Sequence, residues 1–410
     1  MDSLTQIVLG AACGEAVAGR KIGNRALLWG AVGGTIPDLD VLAGLFTDEI
    51  TSTAFHRGFM HSFLFAALAP WGCAWLVQQF YAAKVHRRKG YKLAAGLTWL
   101  LLFLLAAAGV NAIPVIVGVG FSWWIFIPTL LLGAWLAWWL WQEYWQQELP
   151  EVGASYLTWV QLFFWAIFTH PVLDCFTNYG TQIWQPFADT RIAWTTVSIV
   201  DPLYTVPFGV CLLALAWHSK NSIVRRVLVW MGILWSCSYL GYTVWHKRRM
   251  NAIFEQHLVD NRVAYRRFMT GPSIFNNIVW YGVAEGDTAY YYGMYGFNDT
   301  EETIRPFSVL KKRHDLLAEL PQDDRALRFL RWFSDGYYNV TPWNGDTMVV
   351  NDLRFGLMGD TLQNENYVFR FLLYRKGQGE WDVKGKPGGE DDPQAARASF
   401  QNLWNRINGE

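Results

Sequence analysis

Apolar runs of roughly twenty residues fill most of the first 246 positions, and nothing else in the chain constrains its fold as strongly. The hydrocarbon core of a bilayer takes about 20 apolar residues of α-helix to cross. Five runs approach that length: 61 to 81, 93 to 117, 121 to 141, 156 to 175 and 224 to 245. Three weaker ones, 3 to 18 and 25 to 46, rich in Gly and Ala, and the shorter Leu203 to Trp217, bring the membrane segments to about eight. The expected architecture is mainly α, a polytopic transmembrane helical bundle over 1 to 250 followed by a small soluble α+β domain over 251 to 410. Composition agrees, because 52% hydrophobic and 17% aromatic residues are too many for two water-soluble domains.

A formal net charge of zero gives no electrostatic footprint for nucleic acid, so none is expected as a partner. The five cysteines are odd in number and mostly lie inside apolar runs, which suits small buried hydrophobes rather than a disulfide framework. Met1-Asp2-Ser3 lacks the basic stretch of a secretory signal, so the first residues are expected in the mature fold.

Basic loops set the orientation. Lys84 to Lys92, Lys220 with Arg225 and Arg226, and Arg20 with Lys21 and Arg25 crowd three short connections, all expected on the cytoplasmic side. Eight crossings then put both chain ends outside. Lys247, Arg248 and Arg249 break the rule there, and snorkelling to lipid phosphates is the expected remedy, with a topology off by one crossing as the alternative.

Beyond residue 250 charge rises and apolar runs shorten. Ile278 to Val283 and Ala289 to Phe297 flank Glu285-Gly286-Asp287 as a hairpin signal; 346 to 357 and 366 to 375 read as strands, Asp323 to Phe333 and Pro393 to Ile407 as helices. The Gly-rich, acidic 385 to 392 stretch reads as a linker. This region carries no catalytic motif, and a lid, scaffold or partner-binding role is expected of it.

Four short motifs carry the chemistry: Pro37-Asp38-Leu39-Asp40, His56-Arg57-Gly58-Phe59-Met60-His61-Ser62, His170-Pro171-Val172-Leu173-Asp174 and Asp201-Pro202. His170 and Asp174 are i and i+4, one turn apart on a helix face, where they can share a cation. A carboxylate at the bilayer centre costs at least ~2.5 kcal/mol, so several of them in an apolar half demand partners. A shared cation satisfies them all. The orientation from Lys and Arg places all four motifs on the non-cytoplasmic face, with Asp2 and Gln6 beginning there too. The candidate ligands are Asp38, Asp40, His56, His61, His170 and Asp174, a mixture of imidazole and carboxylate that suits zinc, manganese or iron. Six exceed what one catalytic zinc takes, so a second ion or supporting roles are expected for some. Arg57 is a candidate grip for phosphate or carboxylate, with an interfacial ion pair as its alternative. Asp201 is a candidate general base, although Pro202 after it suits a helix cap better.

With these residues the chain resembles the YdjM-like family of bacterial inner-membrane proteins, described as LexA-regulated, metal-dependent hydrolases. The resemblance covers about residues 1 to 246. It rests on Met1-Asp2-Ser3-Leu4-Thr5-Gln6 and the four motifs, together with Thr177 and Tyr179-Gly180-Thr181-Gln182. Relatives carry His at the position of Gln6, so a ligand used elsewhere is missing or not needed here. The family is also distantly similar to zinc-dependent phospholipase C, an all-α enzyme with a multi-metal site, which implies phosphoester hydrolysis at His170 and Asp174.

The function expected is hydrolysis of a phosphoester by metal-activated water in the bacterial inner membrane, with membrane lipids as surroundings. A lipid-linked ester follows from a site near the interface, and the 24 tryptophans supply an interfacial belt. An amide or peptide is the alternative substrate for an enzyme, an ion or proton-coupled transporter is the second class, and a scaffold with a structural metal is the third.

Overall fold

The computed structural model describes residues 1–116, 120–146, 151–357, 367–377, 380–387 and 393–409. The chain divides into two compact units, one of Met1–Pro70 with Gln161–Glu410 and one of Trp71–Val160. Its helices are α1 Ser3–Ile22, α2 Asn24–Thr35, α3 Glu49–Phe55, α4 Phe63–Ala82, α5 Lys89–Ile116, α6 Trp123–Trp141, α7 Tyr156–Asp174, α8 Pro202–Ala216 and α9 Ile223–Asp260, then α10 Arg325–Phe333 and α11 Pro393–Ile407 in the C-terminal region. Within the described residues seven of the eight apolar runs fall on an α-helix each, and the eighth, 25 to 46, is split between α2 and the 3-10 segment Pro37–Leu45. Five of these, α4, α5, α6, α7 and α9, are long and apolar enough to cross a membrane, and α2 with the 3-10 segment Pro37–Leu45 makes a sixth if that pair, bent by 48°, is one span.

Small residues hold α1 to α2. Gly10 and Gly14 face Gly30 and Gly34, each spaced by four, so that the backbones touch. A Cβ at Gly30 would lie 2.3 Å from the Gly10 carbonyl oxygen and 2.9 Å from the Cα of Gly14. The obstacle is backbone, which cannot step aside. Gly30→Leu is therefore expected to cost more than the ~1–3 kcal/mol of ordinary core overpacking, read as a fall in the thermal unfolding midpoint of the purified protein; an unchanged midpoint would show that α1 and α2 do not pack this way.

At 38 residues, α9 is about 57 Å long, well beyond a hydrocarbon core of about 30 Å. Its last turns bury Met250, Phe254 and Leu258 against the C-terminal strands. Here Lys247 and Arg249 depart from the snorkelling expectation. Lys247 donates to the Thr195 hydroxyl and the Thr270 carbonyl, and Arg249 pairs with Glu302, so protein groups hold both charges where lipid phosphates were expected to.

The C-terminal region is a pair of antiparallel meanders. One sheet has the order β1-β2-β3-β4, with β1 Arg267–Pro272, β2 Val279–Glu285, β3 Ala289–Gly296 and β4 Phe307–Lys311. The other runs β5-β6-β7-β8, with β5 Tyr338–Asn344, β6 Thr347–Leu357, β7 Tyr367–Lys376 and β8 Glu380–Pro387. The Glu285-Gly286-Asp287 hairpin forms as expected, with Val283 opposite Tyr292. Residues 385 to 387 of the expected linker belong to β8, and 388 to 392 lie outside the described residues.

Candidate metal centre

Three breaks in the helical order bring the motifs together. At Pro37 the chain leaves α2 for a 3-10 turn that turns Asp40 into the protein and leaves Asp38 partly open. After α3 ends, Arg57 takes a left-handed φ of 59°, a conformation that costs a non-glycine residue about 1–2 kcal/mol. What holds it there is Asp40, whose Oδ2 accepts the Arg57 backbone N–H at 2.8 Å while its Oδ1 lies 2.8 Å from His56 Nδ1. His61 closes the following 3-10 turn. The helix α7 runs through Pro171, so His170 and Asp174 share one face as their spacing predicts.

His61 and His170 are fully buried and meet edge to face, with Nε2 atoms 3.1 Å apart. Each imidazole has its other nitrogen turned to an acceptor. His170 Nδ1 lies 2.6 Å from the Gly34 carbonyl oxygen, and His61 Nδ1 lies 3.1 Å from Asp40 Oδ2. The Gly34 carbonyl can only accept, so His170 carries its proton on Nδ1 and presents a lone pair at Nε2, and with the proton of His61 on the nitrogen beside Asp40 both Nε2 atoms present lone pairs. Two lone pairs at 3.1 Å repel unless a cation lies between them. Carboxylate oxygens complete the ring: Asp38 Oδ1 is 3.3 Å from His170 Nε2 and 3.6 Å from His61 Nε2, and Asp174 Oδ2 is 3.4 Å from each.

These separations match the ligand-to-ligand edges, about 3.3–3.6 Å, that bonds of ~2.0–2.2 Å imply around a tetrahedral zinc. Among the described residues, Asp38, His61 and His170 form a group of three whose donor atoms all lie within 4.8 Å of one another, and Asp174, close to both imidazoles, stands outside that group. Asp174 Oδ2 and Gln6 Oε1, both acceptors, are buried without a hydrogen-bond partner. Such orphans are rare in a finished core, and two acceptors beside the imidazole pair suit a bound cation. The residues present fit a divalent cation.

The remaining candidates take outer positions. Asp40 stands behind His56 and His61 and lies on the far side of both rings from the Nε2 pair. His56, its side chain 25% exposed, sits at the rim against the Tyr179 ring. Arg57 lies over the same ring, donates to the Thr177 hydroxyl at 2.9 Å and comes within 3.4 Å of Asp174 Oδ2. Gln6 donates to Asp174 Oδ1 at 3.0 Å, and the Met1 amine pairs with that same oxygen. Asp2 caps α1 by accepting the Thr5 backbone N–H.

Asp201 is used elsewhere. Its Oδ1 caps α8 by accepting the N–H groups of Leu203 and Tyr204, and its Oδ2 accepts the Tyr239 hydroxyl at 2.8 Å. Among the described residues it makes no hydrogen bond or ion pair to the histidine cluster, so the general-base expectation gives way to the cap. Asp201→Ala is expected to cost about 1–2 kcal/mol in stability, from the lost cap and the stranded hydroxyl, with metal content unchanged by elemental analysis; loss of metal would return Asp201 to the site.

Sequence reasoning gave no role to Gly34, Ser3, Thr177 or Tyr179. Ser3 donates to Asp38 Oδ2 at 3.1 Å, and Thr177 and Tyr179 hold Arg57. Thr177 and Tyr179 did stand in the family motif, whereas a backbone carbonyl such as that of Gly34 leaves no signature in sequence. The C-terminal sheets also reach the site: Tyr179 packs among Phe333, Phe355 and Phe369, and Asn178 donates to the Tyr281 hydroxyl and the Arg354 carbonyl. Arg325 clasps Asp48 at the start of α3 and holds its carboxyl below the usual carboxylate range.

No curated protein and no solved structure matches the chain, so the expected likeness to zinc-dependent phospholipase C has no matching structure behind it. The family model for the YdjM inner membrane protein matches residues 1–119 and 120–250, a stretch that contains all four motifs and the whole histidine and aspartate cluster. With more than half of its length matched and the cluster inside that stretch, the chain belongs to the YdjM inner membrane protein family.

Proposed function

We propose that this protein is a membrane-embedded, metal-dependent hydrolase of phosphoesters. The observation that carries the reading is the pair of buried Nε2 lone pairs, His61 and His170, facing each other at 3.1 Å with two carboxylates beside them. Asp38, His61 and His170 are the ligands, with Asp174 as a fourth, and zinc suits the donors best, with manganese or iron as alternatives. An ion held there acidifies water to near neutral pH and polarises a phosphoryl oxygen. The protein's own groups do the rest. Asp40 fixes the tautomer and tilt of His61, and it orients His56 at the rim to take the proton from the attacking water and return it to the leaving alcohol. Arg57 steadies the phosphoryl oxygens from the Tyr179 side.

We place the site in the bacterial inner membrane, on the non-cytoplasmic side of an eight-segment bundle in which α1 and the 15-residue α8 complete the spans. The three basic loops support that sidedness. The C-terminal sheets, packed on Tyr179, then act as an outer lid.

The test is elemental analysis of the purified full chain, followed by assay against phosphomonoesters and phosphodiesters with and without a chelator. One bound divalent ion per chain and chelator-sensitive turnover are expected. A folded, metal-free protein would overturn the reading, and stoichiometric metal without turnover would leave the scaffold.

A further inference from the structure

The 3-10 segment Pro37–Leu45 has two faces, and only one is accounted for by the candidate metal centre. Asp40 is 2% exposed and Asp38 keeps 16% of its side chain open at the mouth of the cluster. The residues between and after them point the other way. Leu39, Val41 and Leu42 are each about half exposed, Leu45 is 73% exposed and Phe46, which ends the segment, is 87% exposed. Apolar side chains exposed together in this way on a nine-residue element are unfavourable in water.

Two further observations say what covers it. The segment follows α2 across a 48° bend, the pair together is apolar enough to count as a broken span or a re-entrant loop, and Leu28 and Val32 of α2 are exposed apolar residues as well. Irregular backbone at such depth is tolerated where one side lines a polar cavity and the other is packed, which is the division seen here. Tyr179, against which His56 and Arg57 lie, is itself buried in the core of the C-terminal sheets with Phe333, Phe355 and Phe371. The partly open members of the cluster are Asp38, which belongs to the apolar segment, and His56, which is held to Asp40 of the same segment.

We propose that Leu39–Phe46 is inserted in the bilayer and that the substrate is a phospholipid-type amphiphile. It approaches laterally, with its chains along Leu42, Leu45 and Phe46 and its phosphate at the Asp38 and His56 mouth. The proposal rests on the hydrolase reading for the reaction but not for the insertion, and the two fail separately.

The experiment uses the full chain in nanodiscs of phosphatidylethanolamine and phosphatidylglycerol, loaded with zinc or manganese. A spin label at Phe46→Cys, in a background with the five native cysteines replaced, is expected to show high accessibility to oxygen and low accessibility to an aqueous nickel chelate. An aqueous label overturns the proposal whether or not any ester is cleaved. Hydrolysis is then measured on the disc lipids and on bis(p-nitrophenyl) phosphate in solution. Leu45→Ser with Phe46→Ser, both at the surface, is expected to lower lipid turnover about 10-fold or more by removing apolar anchorage, with turnover of the soluble ester unchanged. Cleavage of the soluble ester alone, or equal loss on both substrates, overturns lipid as the substrate. An inserted label with no turnover on either substrate sinks the hydrolase reading and leaves the insertion standing.

Discussion

His61→Ala is expected to abolish stoichiometric metal binding and to lower metal-dependent turnover by about 10³-fold or more, since a catalytic ion is worth several kcal/mol of transition-state stabilisation. His170→Ala should match it. The reason is geometric: the two Nε2 atoms are the nearest donor pair in the cluster, 3.1 Å apart, and each also lies within 3.6 Å of Asp38 Oδ1 and Asp174 Oδ2. Removing either leaves a single imidazole between two carboxylates. Asp40→Asn provides the graded comparison, because Asp40 touches the far nitrogen of His61 rather than the Nε2 pair. A supporting carboxylate of that kind is worth about 10–100-fold in metal affinity or activity. Elemental analysis and metal titration of the three variants, each checked for folding by circular dichroism, decide the matter. Equal metal loss in Asp40→Asn and His61→Ala would make Asp40 a ligand, and full metal retention in His61→Ala would remove the site.

The helices were legible because a bilayer imposes one length and one composition, and the break at Pro37-Asp38-Leu39-Asp40 was legible because carboxylates interrupt an apolar run. The C-terminal sheets divide in an instructive way. The strands visible in the sequence, β2, β3, β6 and β7, are the inner strands of their sheets, with neighbours on both sides and continuous burial in β2 and most of β6. Those that went unseen, β1, β4, β5 and β8, are the edges. β1 ends Thr270-Gly271-Pro272, and β8 mixes Glu380, Asp382, Lys384 and Lys386 into its short run. Edge strands tolerate such residues, and polar edges discourage pairing with other chains, so the apolar signal fades there. In the site, residue types and spacing named the cluster, but not which member does what. Asp38 and Asp40 read alike as two carboxylates in one motif; only the turn that sends one to the Nε2 atoms and the other to the Nδ1 atoms tells them apart. Asp201 was ambiguous for a similar reason, because an Asp before Pro serves as a cap or a base with the same letters.

Arg57→Lys is expected to lower kcat about 10²-fold, the scale seen when one oriented donor to a developing charge is lost, while leaving one metal ion per chain. Charge alone does not explain why arginine stands here. Its guanidinium lies 4.7 Å from the centre of the Tyr179 ring, donates through one terminal nitrogen to Thr177, and leaves Nε buried and without a hydrogen-bond partner toward the cluster. Lysine keeps the charge but loses the planar fork, the stacking and the second donor. A second guanidinium, Arg191, also sits 4.7 Å from the Tyr179 ring, and burial, with Arg354 and Arg57 nearby, pushes it down to about 9. Cations crowded in this way would lower the cost of bringing the phosphate of the proposed substrate beside Asp38, Asp40 and Asp174. Binding and chemistry separate in the kinetics. If Arg57 holds the phosphoryl group mainly in the transition state, kcat and kcat/KM fall together with KM little changed; a rise in KM alone would make it a simple binding residue, and an unchanged kcat/KM would reduce it to the ion pair with Asp174.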